Sequence, residues 1–233
     1  MKALRNIFII IASIAISFSA AHAQRSKTTN AEIKTKLLQN IVKESNGDVI
    51  LKVKVNPTKE ILEKTRDIPT SLLVMLLYVD PKMDLERYNK VMQKDAGTNK
   101  VRSVSDILEA TDKYLSANNM QLKQIKFSAN NARLKLDQGL PLFISLYSSG
   151  DYGKIADREK SRLAATDIAA WKKSLGKLQL KSFNLNKNLI TFALMQGYNK
   201  QTGEFLILFN GKKHWFTESE LKKVISNCHE LRI

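Results

Sequence analysis

The chain has 233 residues, 43% of them hydrophobic, and a formal net charge of +16, which fits one domain with a single good-sized core. Its only cysteine, Cys228, excludes an internal disulfide, so stability must come from the core. The 38 Lys and Arg residues are scattered as singles and pairs without a long block, which favours a solvated basic face over a dedicated nucleic-acid tract.

The first residues have the layout of a cleaved secretory signal. Lys2 and Arg5 precede an apolar run over residues 7–20, and Ala21-His22-Ala23 forms a small-residue cleavage site. The apolar run is shorter than the roughly 20 residues that span a bilayer. We therefore expect residues 1–23 to be a signal peptide and the mature chain to be periplasmic or secreted without a transmembrane anchor. Removing Lys2 and Arg5 takes two charges from +16 and leaves +14.

Residues 24–56 are predicted to form an N-terminal arm of one helix and one strand. Thr29-Asn30-Ala31-Glu32 has the form of a capping box, and the apolar residues that follow share one helical face. Those residues are Ile33, Leu37, Leu38, Ile41 and Val42. Asn46-Gly47 supplies a turn, and the alternation over residues 49–55 predicts a strand.

Residues 57–233 are predicted to form one domain that begins with helices. A short helix is expected over residues 57–64, and the run from Pro69 to Tyr78 is apolar on every side, which is typical of a buried helix. Two further helices are expected over residues 84–92 and, after a capping box that begins at Ser103, over residues 104–115.

The second half of the domain is predicted to be mainly antiparallel sheet. Helices are expected before Gly139 and, within a charged surface stretch, before Gly176. A terminal helix is expected from Thr217 to about Asn227, and Cys228 and His229 are assigned to it. Adjacent helical residues point about 100° apart, so those two residues are a poor catalytic pair. The predicted strands cover residues 122–127, 140–147, 189–197, 204–209 and 213–216, with a tight turn at Asn210-Gly211.

Asp67-Ile68-Pro69-Thr70-Ser71-Leu72 opens the predicted buried helix, and the run from Thr191 to Gln196-Gly197-Tyr198 ends a predicted strand. These two short motifs resemble those of papain-like cysteine peptidases, in particular the double-glycine leader peptidase (bacteriocin-processing) branch. The first matches the start of the family's nucleophile helix, and the second matches the end of its histidine strand. The resemblance covers about residues 67–224. Helices first and an antiparallel sheet second already predict an α+β fold. The resemblance implies the same fold, in which a helical half with a buried central helix packs on an antiparallel sheet.

The same resemblance implies that the catalytic pair is missing. Asp67 stands where the family has its cysteine, and Thr191 stands where it has its histidine. Asn210 is the nearest match to the third group that orients the histidine, and the preceding oxyanion glutamine has no counterpart over residues 61–66. A carboxylate at a helix N-terminus can cap the helix, so we expect Asp67 to be structural and the protein to be a pseudo-peptidase.

The expected function is therefore binding of a peptide or protein partner in the former active-site cleft. The residues expected in the cleft are Asp67, Thr70, Thr191, Asn210 and Trp215. No cofactor is expected, and no His, Cys or carboxylate pair has zinc-site spacing. Two alternatives stay open: a hydrolase that uses Asp67 with a neighbour such as His214, and a basic module that binds an anionic envelope polymer.

Overall fold

The structure, a computed structural model, confirms the α+β class. It describes residues 30–53, 57–58, 61, 68–96, 104–149, 161–162, 164–165, 167–175, 185–209 and 211–233. The chain divides into two compact units, residues 1–33 and residues 34–233, and the second unit holds the sheet.

Seven helices and eight strands lie in the described part of the chain. The helices are α1 (Asn30–Gln39), α2 (Thr70–Val79), α3 (Leu85–Ala96), α4 (Val104–Ser116), α5 (Ala129–Asp137), α6 (Ile168–Leu175) and α7 (Glu218–Val224). The strands are β1 (Ile41–Lys43), β2 (Asp48–Leu51), β3 (Gln121–Ile125), β4 (Leu142–Ser149), β5 (Leu185–Asn199), β6 (Phe205–Phe209), β7 (Lys212–Phe216) and β8 (Ile225–Arg232).

Strand β5 organises the sheet because it pairs with three other strands. Strand β4 lies along most of one of its edges, β2 continues that edge at Gly197–Asn199, and β6 pairs with the opposite edge. The order β1-β2-β5-β4-β8-β3 describes the main path, and β6 carries β7 on its outer side. Every described pairing is antiparallel.

Helix α2 is the buried helix that the sequence predicts. Seven of its ten residues are buried, and it packs against β5 and β4. Leu76 and Val79 share a small cavity with Leu231 of β8, so α2 lies on the face of β8 that also carries His229. Because most of the helix surface is removed from water, the helix needs no polar face.

The predicted N-terminal arm contributes to the main sheet. Helix α1 ends at Gln39, and Ile41 and Val42, predicted to extend its apolar face, begin β1 instead. The following strand is shorter than predicted and pairs with β5 through Asp48, Val49 and Ile50. Residues 34–53 therefore belong to the same compact unit as the sheet, and residues 54–56 of the predicted arm lie outside the described part of the chain.

The prediction for the terminal helix was wrong at its end. The capping box is present, since Thr217 and Glu220 satisfy each other's backbone N–H groups, but α7 ends at Val224. Cys228 and His229 lie in β8, which pairs with both β4 and β3. Two sheet partners satisfy the backbone of residues 225–232 in a way that helix propensity cannot anticipate. Adjacent strand residues face opposite sides of a sheet, so this pair is again unsuited to catalysis.

Candidate functional site

A cavity of about 440 Å³ lies where the start of α2 meets β5 and the end of β6. Its described lining is apolar with three hydroxyl groups, and the lining residues are Pro69, Thr70, Ser71, Val74, Ile190, Thr191, Phe192, Leu208, Phe209 and Gly211. Its volume falls in the range of about 300–1,000 Å³ that small-molecule and peptide side-chain sites occupy. We call this cavity the cleft.

The helical wall of the cleft is the first turn of α2. Pro69 precedes this turn, and its carbonyl oxygen accepts hydrogen bonds from the backbone N–H groups of Leu72 and Leu73. Proline suits this position because the missing N–H would have no helical partner. Thr70 is exposed and Ser71 is buried, so this wall of the cleft has one solvent-accessible and one buried hydroxyl residue.

The sheet wall of the cleft is formed by β5 and β6. The ring of Phe192 stacks on that of Phe143 in β4, with centroids 5.5 Å apart and planes inclined by 14°. Thr191 and Phe192 are consecutive residues of β5 and therefore face opposite sides of the sheet. Both line the cleft, and β6 pairs with β5 only from Leu194 onward. Ile190, next to them, is 38% exposed, which leaves an apolar side chain at the cleft mouth.

Two of the five predicted cleft residues meet in this cavity. Thr70 from α2 and Thr191 from β5 both line it. Asp67 and Asn210 lie outside the described residues, although Phe209 and Lys212 pair as expected for a two-residue turn at Asn210-Gly211. Trp215 is not among the lining residues of the cleft, because its ring packs against Arg162 elsewhere.

Among the described residues, the cleft lining contains no Cys, His, Asp, Glu, Lys or Arg side chain. Hydroxyl groups become useful nucleophiles only when an adjacent base accepts their proton. Thr70, Ser71 and Thr191 can therefore donate and accept hydrogen bonds, while the apolar residues supply contact area. The described surface is suited to holding a ligand.

His214, the neighbour considered for an Asp67-based reaction, is a packed residue. Its ring lies 4.6 Å from that of Phe209, centroid to centroid, and only 7% of the residue is exposed. Its Nδ1 atom has no hydrogen-bond partner among the described residues. Burial, with a smaller contribution from the positive charge of Lys212, lowers the pKa of His214, and burial likewise lowers the pKa of His229. Both imidazoles are therefore neutral packing groups at neutral pH.

These lowered pKa values predict a loss of stability on mild acidification. As the pH falls below about 6.5, the unfolded chain binds protons that the folded chain excludes, so the free energy of unfolding decreases until the folded pKa is reached. The His214→Phe variant removes one such group and should show a flatter dependence. Melting temperatures measured from pH 7.5 to pH 5 for the wild type and this variant check the prediction, which parallel curves would contradict.

Trp215 belongs to a buried charged cluster at the other end of the β6–β7 hairpin. The guanidinium carbon of Arg162 lies 3.7 Å from the centroid of the Trp215 ring, and Trp215 is 4% exposed. Arg162 pairs with Asp48 of β2 at 2.5 Å and with Glu204, just before β6, at 3.1 Å. The indole N–H of Trp171 donates to the same Glu204 oxygen at 3.4 Å. We call Asp48, Arg162, Trp171, Glu204 and Trp215 the arginine cluster.

The arginine cluster explains why Trp215 is absent from the cleft. No sequence pattern predicted this cluster. Arg162 and Trp171 come from the charged stretch that was predicted to be a surface excursion. The available signal was weak, because Arg162 is one of two arginines among four lysines in that stretch. A buried arginine needs carboxylate partners, and the partners here are 114 and 42 residues away in the chain.

The Gln196-Gly197-Tyr198-Asn199 motif also has a structural explanation at each residue except the first. A Cβ atom on Gly197 would lie 2.7 Å from the carbonyl oxygen of Val49, so only glycine admits β2 there. The Tyr198 hydroxyl donates to Asp137 at 2.9 Å, and burial is the main reason that its pKa is raised to about 12.

Asn199 closes the turn between β5 and β6. Its side-chain oxygen accepts from the N–H groups of Gln201 and Thr202, and its amide donates to Asp48 of the arginine cluster. Gln196, by contrast, is fully buried at a bulge between β5 and β6, and its amide has no hydrogen-bond partner in the part of the chain that the structure describes. Nothing in the structure explains that residue.

Neither metal chemistry nor a membrane crossing has support in the described residues. They contain no group of three or more His, Cys, Asp or Glu side chains placed to hold a metal ion. None of the helices in the described ranges has the length and apolar character that a bilayer crossing requires.

Comparison with known proteins finds no match to a protein-family model, a curated protein or a solved structure. The papain-type relationship therefore stays a prediction from the two sequence motifs.

Proposed function

We propose that this protein is an exported, non-catalytic papain-like domain that binds a peptide segment of a partner in the cleft. The observation that carries the proposal is the lining of the cleft, which combines apolar side chains with hydroxyl groups and, among the described residues, has no titratable side chain. Such a surface can recognise apolar side chains and satisfy backbone groups of a bound segment, but it has no described base to activate a nucleophile.

The two motifs support the same proposal from the sequence side. Pro69 and Thr70 from the first motif and Thr191 from the second line one cavity, although they are more than 100 residues apart in the chain. A retained scaffold that lacks the cysteine and the histidine would keep a groove for an extended segment and lose hydrolysis. The signal-peptide pattern of residues 1–23 favours a partner in the periplasm or outside the cell.

The test is selection of a linear peptide library displayed on phage against the immobilised mature chain. Synthetic copies of enriched peptides should bind the wild type in fluorescence anisotropy. Ile190→Asp places a charge at the cleft mouth and should weaken binding about tenfold or more, since a carboxylate would be desolvated against the bound segment. Leu38→Asp is the matched control, because Leu38 is a 53% exposed leucine that does not line the cleft.

Two results would overturn the proposal. The first is that no peptide is enriched, or that Ile190→Asp and Leu38→Asp bind equally well. The second is hydrolysis of the selected peptides by the wild type that Asp67→Ala abolishes, which would favour the Asp67-based hydrolase instead.

A further inference from the structure

A second cavity, of about 550 Å³, lies away from the cleft, between α1, the end of α5 and the last residues of the chain. Its apolar lining consists of Leu37, Leu38, Leu140, Leu231 and Ile233. None of its lining residues lines the cleft. We call this cavity the terminal groove.

Of the three large hydrophobic side chains that are exposed among the described residues, one lines the terminal groove and another lies on the helix that ends beside it. Leu38 lines it directly and is 53% exposed. Leu134 is 55% exposed and lies one helical turn before Gln138, which also lines the groove, and the Gln138 N–H donates to the Leu134 carbonyl.

The charged side chains of the terminal groove have a positive excess. Lys34, Lys135 and Arg232 face one carboxylate, that of Glu230. Lys135 and Arg232 both pair with Glu230, at 3.1 Å and 2.6 Å. Burial alone would raise the pKa of Glu230, but the hydrogen bonds from Arg232 and Lys135 outweigh it and lower the pKa, so this carboxylate is ionised at neutral pH.

Lys34 has no acidic partner among the described residues, and it is exposed at the groove. A surface cation beside an apolar groove attracts a ligand that has both an apolar body and a negative end. We propose that the terminal groove binds an anionic amphiphile with a single acyl chain, the chain contacting the exposed side chain of Leu38 and the part-exposed side chain of Ile233, and the carboxylate meeting Lys34. This site is independent of the function proposed for the cleft.

The probe is cis-parinaric acid, a fluorescent fatty acid, titrated into the mature protein below its micelle concentration and displaced by dodecanoic acid. Binding should be saturable with one site. Leu38→Asp should weaken it about tenfold or more by placing a carboxylate in the apolar groove, and Lys34→Glu should weaken it several-fold by reversing the attracting charge.

Two variants elsewhere on the molecule serve as controls. Ile190→Asp makes the same kind of change at the cleft mouth, and Lys200→Glu reverses an exposed lysine outside both cavities. Both should bind the probe as the wild type does. Displacement by the methyl ester of dodecanoic acid should be weaker than by the acid, and Lys34→Glu should remove that difference.

The proposal is overturned if the probe does not bind, if Leu38→Asp and Lys34→Glu leave binding unchanged, or if Ile190→Asp weakens it as much as Leu38→Asp. Binding to anionic vesicles without binding of the monomeric fatty acid would also overturn it, because the surface would then dock on a membrane and not take up a single chain. Peptide binding by the cleft is unaffected by any of these results.

Discussion

Replacing Arg162 by alanine should lower the free energy of unfolding by about 3–5 kcal/mol. The arginine side chain is 7% exposed, and its two carboxylate partners, Asp48 and Glu204, are 4% and 0% exposed. Removing the guanidinium group would leave two buried carboxylates close together without a cation, and it would uncover the face of the Trp215 ring. For a chain of this length, the change corresponds to a fall of about 6–20 °C in melting temperature.

Thermal and urea unfolding of the purified mature protein measure this effect. Lys172→Ala, a change at an exposed position of α6, should alter the melting temperature little and serves as the control. An Arg162→Ala melting temperature within about 2 °C of the wild type would show that Asp48 and Glu204 are not buried against the arginine.

A combined variant separates the ion pairs from simple packing. In Arg162→Met with Asp48→Asn and Glu204→Gln, the buried charges disappear together, so the triple variant should be more stable than Arg162→Met alone. A triple variant that is less stable by the sum of the single effects would contradict the view that uncompensated charge causes the loss.

Gly139→Ala should destabilise the protein by about 3 kcal/mol, because the residue has both an unusual backbone conformation and no room for a side chain. Gly139 has a φ of +77° and follows α5, where its N–H donates to Leu136 and the N–H of Leu140 donates to Lys135. A Cβ atom here would lie 2.5 Å from the carbonyl oxygen of Leu37. The left-handed conformation costs about 1–2 kcal/mol for alanine, and overpacking against α1 adds about 1–3 kcal/mol.

Gly211→Ala is the matched control for this prediction. Gly211 has a φ of +71°, but a Cβ atom there would meet nothing within 4 Å among the described residues. Gly211→Ala should therefore lower the free energy of unfolding only by the cost of the left-handed backbone conformation. The difference in unfolding free energy between the two variants then measures the steric contact with Leu37. Equal losses in both variants would mean that α1 does not pack closely on this turn.

The elements with strong local signals were predictable from the sequence. The apolar run after Pro69 has one plausible structure, a buried helix, and the structure has α2 over Thr70–Val79. The capping box at Thr217 places the start of α7 correctly, because its two hydrogen bonds join residues three apart in the chain. The alternating and apolar segments over residues 189–197, 204–209 and 213–216 likewise predicted β6, β7 and most of β5, which begins four residues earlier at Leu185.

The elements decided by distant partners were not predictable. The predicted terminal helix included Cys228 and His229, yet residues 225–232 form β8 because β4 and β3 lie on either side and exchange backbone hydrogen bonds with it. Ile41 and Val42 fit the apolar face of α1, but they pair with β2 and not with the helix. In both cases tertiary pairing overrides a local preference that differs between helix and strand by only a fraction of a kcal/mol per residue.

Composition and local pattern alone determined that this protein is an α+β domain with a buried central helix, a basic surface and no internal disulfide. The two sequence motifs also predicted that distant segments lie at one cleft, and Thr70 and Thr191 both line it. Only the tertiary structure decided that Trp215 stacks on Arg162 away from that cleft, and that Leu38 borders a second groove. The physical reason is that a helix or a turn depends on residues a few positions apart, whereas buried ion pairs and cavities depend on segments that meet only after the chain has folded.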